Sequence, residues 1–260
     1  GKTLKILTLG HSLAVDSGHM LNLVADAEGF DQPMEIATLY YSGCPIEKYY
    51  NDWMTGTAAY QFYETTSMER KSYAGSKTLE WCLAQGEWDI ISMQESSSGV
   101  RTSGVEAHLE KIDLYTDTLF PYIREQFPNA KFYFHQTWGY QVGYDRSGYK
   151  VENAAEQALQ AYRQQQFTLA LLEKYGMENG TEFNCLDGRV PSGEAWQLVR
   201  EGFGGYAPYD NLCMRTGTAS NLGDNYHEGD LGGGQYLNGL VWFFKITNDL
   251  GYSFTPEDIK

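Results

Sequence analysis

One hydroxyl near the start of the chain and one imidazole near its end have neighbours suited to acyl chemistry. Ser12 follows Gly10-His11 at the close of the apolar run made by Leu4, Ile6, Leu7 and Leu9. Asp224 stands three residues before His227. That spacing lets a carboxylate fold back onto one imidazole nitrogen and leave the other facing outward as a base. A serine hydroxyl is a weak nucleophile until such a base takes its proton. Taken singly, Ser12 reads as a helix cap and Asp224 as a solvated loop carboxylate. What distinguishes them is where the intervening elements would bring them.

Short apolar runs at Leu4–Leu9, Met34–Leu39, Trp88–Met93 and Ala130–His135 each suit one buried strand, with a weaker fifth at Glu182–Leu186. Helical spacing follows each strand. It begins at Ser17, read as an N-cap, and recurs over 76–85 with Ser76 as cap, over 104–127, over 153–175, up to about Arg200, and from Tyr236 to Phe244. Pro121 is expected to bend or split its helix. Residues 46–75 lack periodicity and read as an insertion of short helices and loop overhanging the site, and 201–231 read as loop. Alternating strands and helices give an α/β protein, a parallel sheet covered on both faces, with 1–260 as a single domain. The carboxyl ends of parallel strands share one edge, where ligands bind. Ser12, Gly43, Gln94 and His135-Gln136 all fall there. Gly43, before Cys44-Pro45, marks a loop whose backbone N–H is open to close approach. His11 reads as a hydrogen-bonding neighbour of Ser12, whereas His135 and Trp138 suit either the pocket wall or the core. His19 and His108 read as surface residues, and Glu228 and Asp230 as solvated.

Composition narrows the partners. With 19 basic and 34 acidic residues the formal charge is −15, which disfavours nucleic acid and anionic membranes. Aromatic residues make up 15% of the chain, including 20 Tyr and 6 Trp, enough for a core with some left to face a neutral sugar. Cys44, Cys82, Cys185 and Cys213 form no Cys-x-x-Cys pair, so they are buried thiols or disulfides rather than a zinc ribbon. No run reaches membrane-spanning length. Gly-x-Ser-x-Gly and His-Glu-x-x-His are absent, and Gly232-Gly233-Gly234 follows no strand, which disfavours a standard α/β-hydrolase, a zincin and a dinucleotide site. The chain begins Gly-Lys, which suits removal of a leader and a periplasmic or secreted location.

Gly10-His11-Ser12, the isolated Gly43, an amide after the third strand and Asp224-x-x-His227, in this order, resemble the SGNH (GDSL-like) hydrolases. Tyr41-Ser42-Gly43-Cys44-Pro45 and Val190-Pro191-x-Gly193 are similar to a bacterial branch of that superfamily. The resemblance covers about residues 4–247. It implies a three-layer αβα, flavodoxin-like fold with a five-stranded parallel sheet. It also implies hydrolysis of esters, frequently acyl groups on carbohydrates or lipids, with no cofactor. The expected activity is that of an esterase acting through an acyl-enzyme on a small acyl ester, with O-acetylated carbohydrate as the favoured substrate. Carried over by position, Ser12 is the nucleophile, His227 the base and Asp224 its orienting partner. The N–H groups of Ser12 and Gly43 would form the oxyanion hole. Apart from the resemblance, His11, His135 and Trp138 are expected as substrate-binding residues from their place at the strand ends. Gln94 stands where the family has the Asn of a Gly-x-Asn-Asp block and is expected as third oxyanion donor. If Gln94 faced the core, two donors would remain and activity would be weak. The rival reading is a catalytically weak or inactive carbohydrate-binding protein on the same scaffold.

Overall fold

A computed structural model of the chain describes residues 2–66, 69–215, 226–230 and 232–252. Its first strand, β1 (Leu4–Gly10), carries side chains into apolar surroundings on both faces. Leu7 and Leu9 enter one buried cluster, while Leu4 and Ile6 enter another. A strand buried on both sides reads as a continuous apolar run. Strand β2 (Met34–Tyr40) pairs parallel to it on one side. On the other side lie β5 (Ile90–Met93), β6 (Lys131–His135) and β9 (Gly188–Val190), each parallel to the last. This parallel order, β2-β1-β5-β6-β9, is the flavodoxin-like one, with a change of direction beside β1.

Helices cover both faces. One face is packed by α1 (Ser12–Ala27) and α8 (Gly234–Asp249), through Leu21, Val24, Trp242, Phe243 and Ile246. The other takes α2 (Ile46–Thr55), α3 (Leu79–Leu83), α5 (Val105–Gln126) and α6 (Ala154–Tyr175), through Tyr49, Leu83, Leu119, Ile123 and Phe167. Two further helices, α4 (Ser97–Ser103) and α7 (Ser192–Glu201), begin just beyond the ends of β5 and β9. Among the described residues no helix is long and apolar enough to cross a membrane.

Several expectations need correction. Residues 46–75 hold α2 and an antiparallel extension, β3 (Gln61–Thr65) and β4 (Arg70–Ser72), which brings the sheet to seven strands; β7 (Asp145–Arg146) and β8 (Tyr149–Lys150) pair as a separate hairpin. The fifth parallel strand lies at 188–190 rather than 182–186, as three residues with no apolar run of their own. Helix α5 continues through Pro121. Thr78, whose hydroxyl accepts the N–H of Trp81, caps α3 in place of Ser76. The first helix starts at Ser12, five residues before the expected Ser17 cap. Its cap is His11, whose Nδ1 accepts the Leu13 N–H at 3.3 Å. Gly10 permits so abrupt a turn, because a Cβ there would lie 2.5 Å from that of Ala14.

Candidate active site

Starting α1 at once after β1 gives Ser12 its setting. As the first helical residue its N–H has no intrahelical acceptor, and the positive end of the helix dipole lies beside it. The neighbouring strand ends in a turn at Gly43, with φ +62°, closed by Cys44 N–H to the Tyr41 carbonyl at 3.2 Å. Among the described residues no acceptor takes the Gly43 N–H. Ser12 and Gly43 line one cavity of about 140 Å³ with His11, Ser96–Ser98, Arg101, Tyr140, Tyr144 and Tyr226. Ser12 also lines an adjoining cavity of about 380 Å³ with Tyr40, Tyr63, Arg70, Ser72, Arg215 and His227. Residues from opposite ends of the sequence thus face one cleft. A comparable cavity between α6 and α7 has no Ser, Cys or His in its lining.

His227 is held by what surrounds it. The indole N–H of Trp138 donates to the Tyr226 carbonyl at 2.9 Å, fixing the peptide before His227. Trp138 itself stacks on Trp196 at 4.2 Å and 11°. Trp196 donates to Asn238 Oδ1, and Asn238 in turn donates to the buried carboxylate of Glu228. The Tyr226 ring packs against those of Tyr140, Tyr144 and His227, the last at 4.0 Å. Glu228 is therefore part of the clamp and not solvated as expected, whereas Asp230 is exposed. His227 is close enough to His11, next to Ser12, for its charge to bear on that ring. Asp224 lies outside the described residues, as does the side chain of His19.

His11 is a positioning group. Its Nδ1 can only accept from Leu13 N–H, so Nε2 carries the proton and donates to the Glu95 carbonyl at 2.9 Å. Burial pushes its pKa down, which favours this neutral form.

The remaining expected site residues turn away from the cleft. Gln94 is 1% exposed, and its amide Nε2 donates to His135 Nδ1 at 2.8 Å. His135 Nε2 then faces Ser192 Oγ at 2.8 Å. Burial pushes His135 down to about 3, a neutral ring held in a buried chain under the site. None of Gln94, His135 or Trp138 lines either cavity. Gln94 as oxyanion donor and His135 and Trp138 as substrate contacts are thus corrected: the Gln94 amide nitrogen, both His135 ring nitrogens and the Trp138 indole N–H bond to the protein itself.

No sequence pattern marks Glu95. Its Oε1 accepts the N–H groups of Ile46 and Ser96, at 3.0 and 2.6 Å, and its Oε2 faces His108 Nε2 at 3.0 Å. Through its carbonyl it also holds His11. One buried residue thereby ties the serine turn, the segment after Gly43 and α5 together. His108, expected on the surface, is 4% exposed for this reason. Arg101 and the tyrosine wall were also missed, because nothing local to residues 97–103 or 139–152 signals that they face Ser12.

The family model described as a domain of unknown function, DUF4886, matches residues 5–260. No curated protein matches the sequence. A DUF4886 family protein from Bacteroides uniformis is 25% identical, with 99% of this chain and 89% of that chain covered and a TM-score of 0.72. A GDSL-like protein from Parabacteroides merdae aligns over 94% of this chain and 95% of its own at 14% identity, TM-score 0.50. The acetyl xylan esterase AlAXEase aligns over 94% and 100%, at 12% identity and a TM-score of 0.52. The likeness to those two is one of fold, shared with the SGNH (GDSL-like) hydrolases. By the extent of the match to the family model, this chain belongs to the DUF4886 family.

Proposed function

We propose that this protein is a serine hydrolase of SGNH type that cleaves a small acyl ester, with acyl groups on carbohydrate as the favoured substrates. The observation that carries this reading is the sharing of one cleft by Ser12, at the first position of α1, with His227 and the left-handed turn at Gly43. In this reading Ser12 Oγ attacks the acyl carbon while His227 takes the hydroxyl proton, and Asp224 holds the imidazole. The oxyanion accepts hydrogen bonds from the N–H groups of Ser12 and Gly43, donors whose value is that they need no reorganisation as charge develops. The C–O bond to the alcohol breaks, and His227 returns its proton to that alcohol. Water then attacks the acyl carbon as the same imidazole takes its proton, the bond from that carbon to Ser12 Oγ breaks, and the imidazole returns the proton to Oγ as the acid leaves. No cofactor takes part.

Tyr140, Tyr144 and Tyr226 support a sugar ring in the cleft, since aromatic faces suit its C–H surface. The esterase-like fold neighbours support acyl transfer as the chemistry. A specific observation favours a slow enzyme, the weak-activity side of the rival reading. With the Gln94 amide committed to His135, the hole has two backbone donors, and removing one donor commonly costs on the order of 10²–10³ in kcat. Hydrolysis of p-nitrophenyl acetate and of acetylated sugars is the test. Ser12→Ala and His227→Ala should each lower kcat/KM by roughly 10⁴-fold or more, with folding checked by circular dichroism. Variants that retain wild-type rates would overturn the reading.

A further inference from the structure

The clefts that meet at Ser12 differ in charge from the rest of the chain. Acidic residues outnumber basic ones 34 to 19 overall. Yet among the described residues that line these two cavities there is no Asp or Glu, while Arg101, Arg70 and Arg215 are present. Arg101 is the sharpest case. It lies on α4 and lines the smaller cavity together with Ser12, its guanidinium 4.2 Å from the Tyr149 ring centroid and 5.6 Å from that of Tyr140. Both rings are on the segment 139–152, which is pinned by Tyr140 N–H to Gln160 Oε1 and by Val151 N–H to the Tyr144 carbonyl. Glu156, the carboxylate that bears on Tyr149, is bonded instead to the Glu152 N–H. Among the described residues no carboxylate pairs with Arg101.

A guanidinium is half satisfied by aromatic faces, which leave its edge donors unused. Those donors form a planar fork that matches a carboxylate with two parallel hydrogen bonds. The chain's net negative charge repels anions only weakly at this range, since screening at physiological salt acts over about 8 Å. A local cation without a partner acts at contact distance. A strictly neutral substrate would leave such a cation unmatched on the cavity wall.

We propose that the substrate carries a carboxylate and that Arg101 receives it. The inference rests on the hydrolase reading for the seat of the ester, and on Arg101 alone for the ionic contact. The carboxylate could belong to either half of the ester: an acylated uronic acid, or the half-ester of a dicarboxylic acid. Paired esters distinguish these: O-acetylglucuronate against its methyl ester, and p-nitrophenyl hemisuccinate against p-nitrophenyl methyl succinate. In one of the two pairs the wild type should favour the acid by roughly tenfold or more in kcat/KM, the scale of a charged hydrogen-bonded pair. The preference should shrink with added salt. Arg101→Gln should bring the ratio close to one, and Arg101→Lys should keep part of it, having the charge without the fork. Wild-type ratios near one in both pairs, or ratios that Arg101→Gln leaves unchanged, would overturn the proposal. A second measurement needs no turnover: calorimetric titration of the folded protein with glucuronate, with succinate and with their methyl esters. Selective binding of an acid, lost in Arg101→Gln, supports the proposal even if no ester is cleaved and the hydrolase reading fails. Equal or absent binding of acid and ester alike would sink it.

Discussion

Ser12 and His227 draw attention by residue type, but His135, buried beneath the cleft, ties the stability of the fold to pH. Its ring is buried and neutral, with its pKa near 3 against the ordinary 6.5. Between those values the folded protein binds one proton fewer at this site than the unfolded chain does. The contribution of His135 is therefore intact above pH 6.5 and is lost as pH falls, at about 1.4 kcal/mol per pH unit. The downward shift at His11 acts in the same direction. Urea unfolding at pH 7, 6 and 5 should show this slope, and His135→Gln should flatten it by about one proton. The same residue marks where sequence reasoning stops at this scale. That Ser12, Gly43, Gln94 and His135 gather at one sheet edge follows from parallel strands. Which of them point into the cleft does not, because a strand's last residue can turn up into solvent or down beneath the loop. Gln94 and His135 turn down and bond to each other, a pairing set by the fold and not by any local pattern.

At the scale of elements, apolar runs mark β1, β2, β5 and β6 because a strand buried on both faces admits little else. The β3–β4 hairpin was not legible: Arg70, Lys71 and Ser72 are all exposed, so no hydrophobic face betrays the strand. β9 is three residues long, too short for any pattern. The start of α1 was misplaced because Ser17 is the better cap by residue type, while the actual cap is an imidazole anchored from β5's loop through Glu95. Helix starts and loop clamps determine where the reacting groups sit, so their loss should change turnover more than affinity. Trp138 tests this, since its indole holds the Tyr226 carbonyl without lining the cleft. Trp138→Phe should cost about 2–3 kcal/mol in stability, from the lost hydrogen bond and the cavity left beside Trp196. It should lower kcat by roughly tenfold or more through misplacement of His227, with KM changed by no more than about twofold. A variant whose KM rises while kcat holds would place Trp138 in substrate binding instead.

Across the whole molecule, four cysteines could have been disulfides or thiols. All four are buried thiols, and none is joined to another in a disulfide. Burial pushes Cys44 and Cys82 up to about 12 and Cys185 to about 11, so little thiolate exists at neutral pH. An aromatic disulfide reagent at pH 8 should leave these three unreacted in the folded protein over minutes, and guanidinium should release all of them at once. Early reaction of any would mean that its part of the core opens locally. The charge pattern is also a property of the whole chain: an acidic surface encloses a cleft whose described lining carries arginines and no carboxylate. Substrate selection by that contrast depends on chemistry at Ser12, and chemistry at Ser12 can be read directly. The folded protein should be treated with a fluorophosphonate and digested, and the adduct mapped by mass spectrometry. A single adduct on Ser12, lost in Ser12→Ala and slowed in His227→Ala, is the expected result. A folded wild type that takes no label, or takes it on another residue, would contradict an activated serine at this edge of the sheet.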